Sequence, residues 1–343
     1  MIADEIVLLG HGSGGTLSQE LLARVFMPHL NDPLLAELED ASEIPLAGAD
    51  GHLPGTAVMT TDSYVIRPIF FPGGDIGKLA MCGTVNDLSM RGARPLYLTV
   101  GFILEEGLPL ADLERIVASM AATARAAGVR IVAGDTKVVE RGGADLIFIN
   151  TAGVGLVPPG LRLRANQAQP GDVVLVSGAM GDHGLAIMTQ REGLRFDSPL
   201  QSDCAPLNGL VAAMLAACPD LRLLRDPTRG GLATTLNELA GQSRVSIEID
   251  EEAVPVHAAA RAAAELLGLD PLYVANEGKL VTVAPAEAAE TLLAAMRAHP
   301  LGGESALIGR VAADHPGRVT LRTVLGTRRM LPMLAGEQLP RIC

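Results

Sequence analysis

The sequence predicts a two-domain protein of the α/β (α+β) class, and three observations support this prediction. The chain has 343 residues, a length that favours two domains over one or three. Short apolar runs are mixed with segments of helical spacing along the whole chain. Residues 158–171 contain three prolines and two glycines, which interrupt any regular element and predict an interdomain connection.

The first half of the chain predicts strands that lead into acidic residues, together with one clear helix. Its predicted elements are strands at 57–62, 130–135 and 146–157 and a helix over 111–128 that ends at Gly128. We expect residues 38–158 to form the first domain, after a glycine-rich N-terminal segment at 1–37.

The second half predicts another mixed unit, the domain 170–327. Its predicted elements are strands at 172–178, 279–284, 306–311 and 318–323 and helices near 206–217, 229–243 and 285–298. Residues 328–343 carry two prolines and no strong period, which predicts a mobile tail. The tail ends on Cys343, which is either part of a frayed end or a chemical handle on a mobile arm.

Composition excludes several classes of protein. Hydrophobic residues make up 48% of the chain but aromatic residues only 3%, so Ala, Val, Leu and Gly must fill the cores. The net charge of −12 disfavours a nucleic-acid binder. No apolar run approaches the roughly 18 residues of a membrane span, and the N-terminal segment has acidic residues where a signal peptide has basic ones. We therefore expect a cytoplasmic protein.

The cysteines predict neither a zinc site nor a disulfide framework, because no two share a C-x-x-C spacing. Cys82, Cys204 and Cys218 lie in apolar or mixed segments, which predicts packing roles. The basic residues are 24 arginines and only three lysines, Lys78, Lys137 and Lys279. This bias is either chance or a sign that some sites need a compact ammonium ion.

Four aspartates in the first half predict a metal site. Asp40, Asp62, Asp87 and Asp135 each lie beside an apolar run or a Gly/Thr turn, where strands are expected to end. Carboxylates from several loops suit Mg²⁺, with a substrate phosphate as a further ligand, and Lys137 would balance the phosphate charge. Taken singly, each aspartate is equally explained as a helix cap or turn residue.

Glycine-rich segments add candidates but leave their roles open. GHGSGG (10–15) lacks the ending of a Walker A loop and is either a phosphate-approaching loop or a turn; His11 within it is either an acid–base group or an exposed loop histidine. The motifs at 177–184, 226–232 and 276–280 predict either anion binding or tight turns with a surface ion pair. Arg229 and Glu277 are the charged candidates in these motifs.

Taken together, the motifs carry a resemblance that covers essentially the whole chain. They are GHGSGG, TTDSYVIRPIFFPGGDIGKLA, GTVNDLSMRGA, GFILEEGLP, AGDTKVVERG, SGAMGDHG, DPTRGGL, VANEGKL and the terminal PRIC. With them the chain resembles the HypE family of hydrogenase maturation proteins. That family belongs to the superfamily of aminoimidazole ribonucleotide synthetase, selenophosphate synthetase and thiamine monophosphate kinase.

The resemblance implies a PurM-like fold, a homodimer paired through the first domain's sheet, and ATP with Mg²⁺ in a cleft beside that interface. The motif positions imply metal ligands at Asp40, Asp62, Asp87 and Asp135, of which Asp40 lies in the loosest match. They imply nucleotide contacts from Asp62, Asn86, Asp87, Gly134, Asp135, Thr136, Lys137, Asp182 and Arg229. Cys343, Lys137, Glu277 and His11 are the implied catalytic residues.

The resemblance also implies a reaction. A carbamoyltransferase, HypF, places a carbamoyl group on the terminal cysteine, and the chain uses ATP to dehydrate it to a thiocyanate. The cyanide then passes to iron held by a HypC–HypD complex. The base that removes the amide protons is Glu277 or His11, and geometry must decide between them. Two alternatives remain: a synthetase or kinase acting on a free small molecule, and a nucleotide-binding scaffold whose tail is a docking peptide.

Overall fold

The computed structural model describes residues 6–8, 11, 20–33, 46, 54–194, 200–334 and 342–343. Within these residues it contains a four-stranded sheet in the first half of the chain, a seven-stranded sheet in the second half, and a small two-stranded sheet. No helix in these ranges is long and apolar enough to cross a membrane. The mixed architecture confirms the predicted fold class.

The first domain is built on the four-stranded sheet, with strand order β1-β6-β4-β5. Its elements are β1 (Thr56–Tyr64), β2 (Phe70–Phe71), β3 (Gly74–Asp75), α1 (Ile76–Met90), β4 (Arg94–Glu105), α2 (Leu110–Ala127), β5 (Arg130–Val139) and β6 (Ile147–Val157). The three strands and the helix predicted for this half are confirmed. The sequence analysis did not predict β4 or α1, although α1 carries much of the site.

Local chemistry explains the bounds of both helices. The Asp75 carboxylate accepts hydrogen bonds from the N–H groups of Gly77 (2.8 Å) and Lys78 (3.0 Å), so it caps α1. Helix α2 ends where Gly128 adopts a left-handed conformation (φ 68°), as its position in the sequence predicts. Almost every residue of α1 is buried, because the helix lies between the sheet and the second domain.

The two faces of the four-stranded sheet differ in what covers them. Thr151 on β6 is fully buried against α1, where its hydroxyl lies 2.5 Å from that of Thr84. Asp62 on β1 pairs with Thr151 and therefore points to this covered face. Asn150, the next residue of β6, is exposed on the opposite face, where its amide bonds the Ser63 hydroxyl at 2.9 Å.

The second domain is built on the seven-stranded sheet, with strand order β13-β12-β9-β11-β7-β10-β8. Its elements are β7 (Val173–Val176), α3 (Asp182–Arg191), α4 (Asn208–Ala217), β8 (Leu223–Arg225), α5 (Gly231–Ser243), β9 (Ser246–Asp250), α6 (Ala258–Leu267), β10 (Val281–Ala284), α7 (Ala289–Ala298), β11 (Ala306–Ala312), β12 (Val319–Arg322) and β13 (Arg328–Met330). All four strands and all three helices predicted for this half are confirmed.

The structure describes the two ends of the predicted tail. Residues 328–330 form β13, which pairs with β12, and Leu331 is fully buried. The far end, Ile342 and Cys343, packs against the core of the first domain. Residues 335–341 lie outside the described residues.

The core of the first domain also receives residues from the second half of the chain. Ile187, Cys204, Ala275 and Ile342 are buried in the same apolar cluster as α1 and α2. The Asn208 amide also donates to the backbone oxygen of residue 127 at 2.8 Å, which ties the N-terminus of α4 to the C-terminus of α2. The two domains therefore meet along a shared, packed boundary.

The packing roles predicted for the first three cysteines are confirmed. Cys82, Cys204 and Cys218 are buried free thiols. Burial raises the pKa of Cys218, and the neighbouring Cys82 together with burial raises that of Cys204. Neutral thiols of this kind are unreactive packing groups.

Candidate active site

A cavity of about 490 Å³ opens where the two domains meet. One wall is β1 with α1 behind it, and the facing wall comes from residues 163–165 of the interdomain connection and residues 224–229 of the second domain. The polar side chains that line it are Thr60, Thr61, Asp62, Asp87, Arg91, Arg164, Arg225, Asp226, Thr228, Arg229, Glu277 and Cys343. Five of the predicted site residues, Asp62, Asp87, Arg229, Glu277 and Cys343, therefore lie around one cavity.

The sequence analysis expected the acidic residues on the first wall to lie at strand ends. The structure shows that they do not. Asp62 lies inside β1 and reaches the cavity because its side chain points to the covered face of the sheet. Asp87 lies in the last turns of α1. The Thr60 hydroxyl donates to the Asp87 carboxylate at 2.8 Å and holds it toward the same face.

These carboxylates, together with Asp226, form a group with excess negative charge. Burial raises the pKa of Asp87; the bond from Thr60 opposes this rise and the charge of Asp62 adds to it. Burial, followed by the charge of Asp87, raises the pKa of Asp226 to about 6. A group of carboxylates in which the pKa values of Asp87 and Asp226 are raised in this way is suited to a bound cation.

Two arginines stand on the second-domain side of the cavity. Arg225 and Arg229 both lower the pKa of Asp87, so their positive charge reaches the carboxylate group. The Arg225 guanidinium also lies 3.4 Å from the Glu238 carboxylate. The acidic groups suit a cation, and the guanidinium groups beside them suit phosphate. A ligand that contains both a metal ion and phosphate requires this combination.

Cys343 and Glu277 both line the cavity. Burial raises the pKa of the Cys343 thiol to about 12, and the nearby Glu277 carboxyl adds to this rise. Glu277 is only 4% exposed. Burial, with smaller contributions from Cys204, Asp226, Asp203 and Asp62, raises its pKa well above the ordinary value. In this arrangement both the thiol and the carboxyl are favoured in their neutral forms.

Comparisons with known proteins agree with this geometry. Residues 49–157 match the model for the N-terminal domain of AIR synthase related proteins, and residues 169–322 match the model for their C-terminal domain. The carbamoyl dehydratase HypE of Azotobacter vinelandii is 59% identical over 333 residues, which cover 97% of this chain and 96% of that protein. The chain belongs to the HypE family.

Solved structures of HypE family members have the same fold. A crystal structure of hydrogenase maturation protein HypE in complex with ATP superposes with a TM-score of 0.93 at 52% identity and covers 98% of this chain and 99% of that one. A structure of a HypE–HypF complex superposes with a TM-score of 0.79 at 47% identity and covers 93% of this chain and 100% of that one. The predicted PurM-like two-domain fold is therefore confirmed.

Lys137 and Asp135 lie away from the cavity of their own chain. Asp135 pairs with Gly101 on β4, which in turn pairs with Asn150 on β6, so Asp135 shares the exposed face of Asn150. The Lys137 ammonium lies 2.7 Å from the Asp135 carboxylate, and this contact lowers the pKa of Asp135. Gly134 and Thr136 lie on the same strand, β5, at the sheet edge opposite β1.

Two further predicted residues, Asn86 and Asp182, do not line the cavity. Asn86 is buried, and its side chain bonds the backbone at Ala205 (3.1 Å), Leu207 (2.8 Å) and Glu277 (3.1 Å), so it joins α1 to the second domain. The Asp182 carboxylate bonds the His257 ring at 2.8 Å at the start of α3.

His11 lies in the N-terminal segment and does not line the cavity. Its ring accepts a hydrogen bond from the N–H of Leu8 at 3.0 Å, next to the segment in which Val7 pairs with Leu108. The rest of the GHGSGG segment, and Asp40, lie outside the described residues.

The scarcity of lysines suggested that some of them serve a binding site, but none of the three lysines lines this cavity in a single chain. The Lys78 ammonium donates to the backbone oxygen of Gly73 at 2.8 Å. The Lys279 ammonium lies 3.6 Å from the buried carboxylate of Asp203. Both therefore act inside the fold, and only Lys137 faces solvent on the exposed sheet face.

Sequence reasoning missed Asp226, Arg225 and Thr60. Asp226 is the first residue of the DPTRGGL motif, so an acidic residue opening a glycine-rich turn was the available signal. Arg225 ends β8 immediately before that turn. Nothing in the sequence distinguishes Thr60 from Thr61, because only the register of β1 decides which hydroxyl faces Asp87.

Asp226 predicts how stability depends on pH in the absence of nucleotide. Its folded pKa of about 6 exceeds the unfolded value of about 3.9, so its contribution is fully present below pH 4 and is lost as pH rises through 6. Asp226→Asn should therefore be more stable than the parent at pH 7, by on the order of 1–3 kcal/mol, and equal to it near pH 4. Denaturant unfolding at both pH values measures this, and the exposed Asp314→Asn is the matched control. If the stability of the parent, Asp226→Asn and Asp314→Asn depended on pH in the same way, the raised pKa assigned to Asp226 would be contradicted.

Gly83 predicts a second measurable effect, because the Tyr64 side chain occupies the space beside it. A Cβ on Gly83 would lie 2.1 Å from the Tyr64 hydroxyl oxygen, and that buried oxygen has no hydrogen-bond partner among the described residues. Gly83→Ala should therefore destabilise the fold by about 1–3 kcal/mol. Tyr64→Phe should be nearly neutral and should restore much of the loss in the double variant. Thermal unfolding of the parent, the two single variants and the double variant tests this coupling. Losses of stability that simply add in the double variant would refute it.

Proposed function

We propose that this chain dehydrates a carbamoyl group carried on its own Cys343 to a thiocyanate, with hydrolysis of ATP. The observation that carries the proposal is that Cys343 lies in the same cavity as Asp62, Asp87, Arg229 and Glu277. Family membership supports it, since a relative 59% identical to this chain bears the name carbamoyl dehydratase. A family structure that contains ATP supports the nucleotide.

The reaction balances as follows. The S-carboxamide on Cys343 and ATP give the S-cyano cysteine, ADP and phosphate. The amide oxygen is a poor leaving group, and transfer of the γ-phosphoryl group to it allows it to depart as phosphate. The C–O bond then breaks while the two protons leave the nitrogen and the C≡N bond forms.

The residues of the cavity fit Mg²⁺ together with a nucleotide. In the part of the chain that the structure describes, no three His, Cys, Asp or Glu side chains lie close enough to hold one metal ion. Mg²⁺ ordinarily takes one or two carboxylates and completes its shell with water and phosphate oxygens, so Asp62 and Asp87 suffice as protein ligands. Arg225 and Arg229 would bind the phosphates. Bound Mg²⁺ neutralises charge that develops during phosphoryl transfer.

Glu277 is the base that we propose for the amide protons. Of the two candidates, it lines the cavity beside Cys343, whereas His11 lies next to Leu8. Burial raises the pKa of Glu277, and a carboxylate of raised pKa is a stronger base than an ordinary one. The charges of Asp62 and Asp226 favour the protonated form of Glu277. Glu277 can therefore accept a proton only after it has ionised.

The remaining steps belong to partners. HypF would supply the carbamoyl group, and a HypC–HypD complex would accept the cyanide for its iron. A solved complex of HypE with HypF supports the first partner. The docked thiol supports a separate loading step, because a thiol with a pKa of about 12 holds very little thiolate at neutral pH. Loading therefore requires Cys343 to leave the cavity.

We also propose that two copies of the chain pair through the exposed face of the four-stranded sheet. This face carries apolar side chains in the open: Met59 is 75% exposed and Ile103 is 42% exposed. Asp135 and Lys137 lie on it as well. Pairing of two such faces would bring the Lys137 of one copy toward the cavity of the other, which accounts for a lysine that a single chain leaves outside its own site.

Mixing two inactive variants tests the shared site. Asp62→Asn and Lys137→Ala should each be inactive alone, but a heterodimer of them keeps one site with both native residues. After random reassortment of equal amounts, about a quarter of the parental activity should return. No recovery, in a mixture shown by mass spectrometry to contain heterodimers, would reject a site built from both copies.

Mass spectrometry of the C-terminal peptide tests the proposed function. The chain is incubated with HypF and carbamoyl phosphate, with or without Mg²⁺-ATP. We expect a carbamoyl group on Cys343, followed by an ATP-dependent loss of one water. Modification without that loss would leave only a carrier. An unmodified Cys343, with HypF active on a control, would favour the alternative of a free small-molecule substrate.

A further inference from the structure

His183 lies at the start of α3, in the SGAMGDHG motif, and contacts the end of the chain. It is fully buried, and its ring packs edge-on against Phe71 with the centroids 5.6 Å apart. Burial lowers its pKa, so the imidazole is neutral at physiological pH. Neither the nucleotide site nor the proposed base uses this residue.

The hydrogen bonds of His183 define which ring nitrogen carries the proton. Nε2 lies 2.7 Å from the backbone oxygen of Ile342. A carbonyl oxygen can only accept, so Nε2 is the N–H donor. Nδ1, 2.7 Å from the Ser202 hydroxyl, must then accept from that hydroxyl. Ser202 in turn accepts from the N–H of Cys204 at 3.1 Å. Every member of this buried chain has a partner, which fixes the ring in place.

A second backbone contact holds the next residue. The N–H of Val65, just after β1, donates to the backbone oxygen of Cys343 at 3.2 Å. The Ile342 side chain is 4% exposed and packs in the core of the first domain. The backbone of Ile342 is therefore held by the second domain, through His183, and the backbone of Cys343 by the first domain, through Val65. A slip of one residue would move the thiol by about 3.5 Å.

This precision matters for a reaction on a side chain at the end of the chain. A misplacement of about 1 Å at a reacting centre can reduce the rate by roughly 100-fold. His183 bonds only the backbone oxygen of Ile342. The bond is therefore independent of any group attached to the Cys343 sulfur. It can therefore hold the free and the modified tail in the same register.

We propose that His183 is a positioning residue, which holds the end of the chain in the cavity by donating from Nε2 to the backbone oxygen of Ile342. The effect on turnover rests on the proposed function, whereas the docking of Cys343 does not. His183→Phe removes the donor and keeps an aromatic ring, and His183→Gln keeps an N–H donor. These two variants separate the hydrogen bond from the packing.

The first measurement is alkylation of Cys343 by iodoacetamide at pH 7.5, followed by peptide mass spectrometry to distinguish it from the buried cysteines. We expect roughly 10- to 100-fold faster labelling in His183→Phe than in the parent, and a rate near the parental one in His183→Gln. Equal labelling rates in all three proteins would overturn the proposal, whatever the catalytic activity.

The second measurement is the first-order rate of ATP-dependent dehydration of pre-carbamoylated chain. His183→Phe should lower this rate by roughly 10- to 100-fold with an unchanged KM for ATP, and His183→Gln should recover most of it. Altered labelling without any dehydration in the parent would reject the proposed function and leave the docking role intact. Unchanged dehydration in His183→Phe would reject the positioning role.

Ser202→Ala provides a variant that keeps the histidine, in case His183→Phe does not fold. Without the hydroxyl, Nδ1 loses the bond that helps to fix the ring, although Nε2–H keeps its acceptor on Ile342. We expect Cys343 labelling intermediate between the parent and His183→Phe. Parental labelling in a folded Ser202→Ala protein would contradict the role of the buried Ser202–His183–Ile342 chain of hydrogen bonds in holding the end of the chain.

Discussion

Cys343→Ser is expected to reduce thiocyanate formation below detection while leaving Mg²⁺-ATP affinity within about twofold of the parent. Serine keeps the size of the side chain, and the contacts that hold the chain end are made by backbone atoms of Ile342 and Cys343. The fold and the docked end should therefore survive, and only the sulfur is lost. Peptide mass spectrometry measures the modification, and calorimetry measures nucleotide affinity.

The matched control for this variant is Cys218→Ser. Cys218 is a buried packing residue at the end of α4 and lies outside the cavity lining. It should retain turnover, apart from a modest loss of stability. Turnover in Cys343→Ser comparable with that of Cys218→Ser would show that the chain acts on a free substrate and would refute the carrier role.

Glu277→Gln is expected to lower the rate of the dehydration step by roughly 10²- to 10⁴-fold, the usual contribution of a general base. The loss should appear after loading, so carbamoylated Cys343 should accumulate. Gln has the shape of the neutral Glu that burial favours. The backbone of residue 277 keeps its bonds to Asp203 (3.0 Å) and Asn86 (3.1 Å). The variant should therefore fold.

The pH dependence of stability and rate checks the same assignment. A buried acid with a raised folded pKa stabilises the folded state fully only below its unfolded pKa of about 4.3, and this contribution is lost as pH rises toward the folded pKa. Glu277→Gln should therefore be at least as stable as the parent at pH 8. The parental rate should rise with pH as Glu277 ionises, and this rise should be absent from the residual rate of the variant. Dehydration at the parental rate in Glu277→Gln would remove Glu277 as the base.

Much of the fold could be predicted from local patterns. The apolar runs at 130–135 and 146–157 became β5 and β6, and Gly128 ended α2 because only a residue tolerant of positive φ fits that position. Helix α1 was harder to predict, since it is buried on nearly all sides. A helix without a polar face shows no amphipathic period.

The candidate site was predictable as a set of residues but not as an arrangement. Motif resemblance singled out Asp62, Asp87, Glu277 and Cys343, and these do line one cavity. It placed Asp135 and Lys137 in the same set, yet in one chain they lie on the other face of the sheet. Asp226 was missed, although its motif was recognised.

The sequence by itself determined many of the strands and helices, the two-domain organisation and the chemistry available to the site. These depend on periodicity, turn residues and side-chain type, all of which are local. Only the tertiary structure decided which side chains meet. The face on which Asp62 or Asp135 lies depends on strand register, since a shift of one residue reverses every side chain. The end of the chain is docked in part by the bond between His183 and Ile342, which are 159 residues apart in the sequence, and contacts over such a separation exist only once both domains have packed.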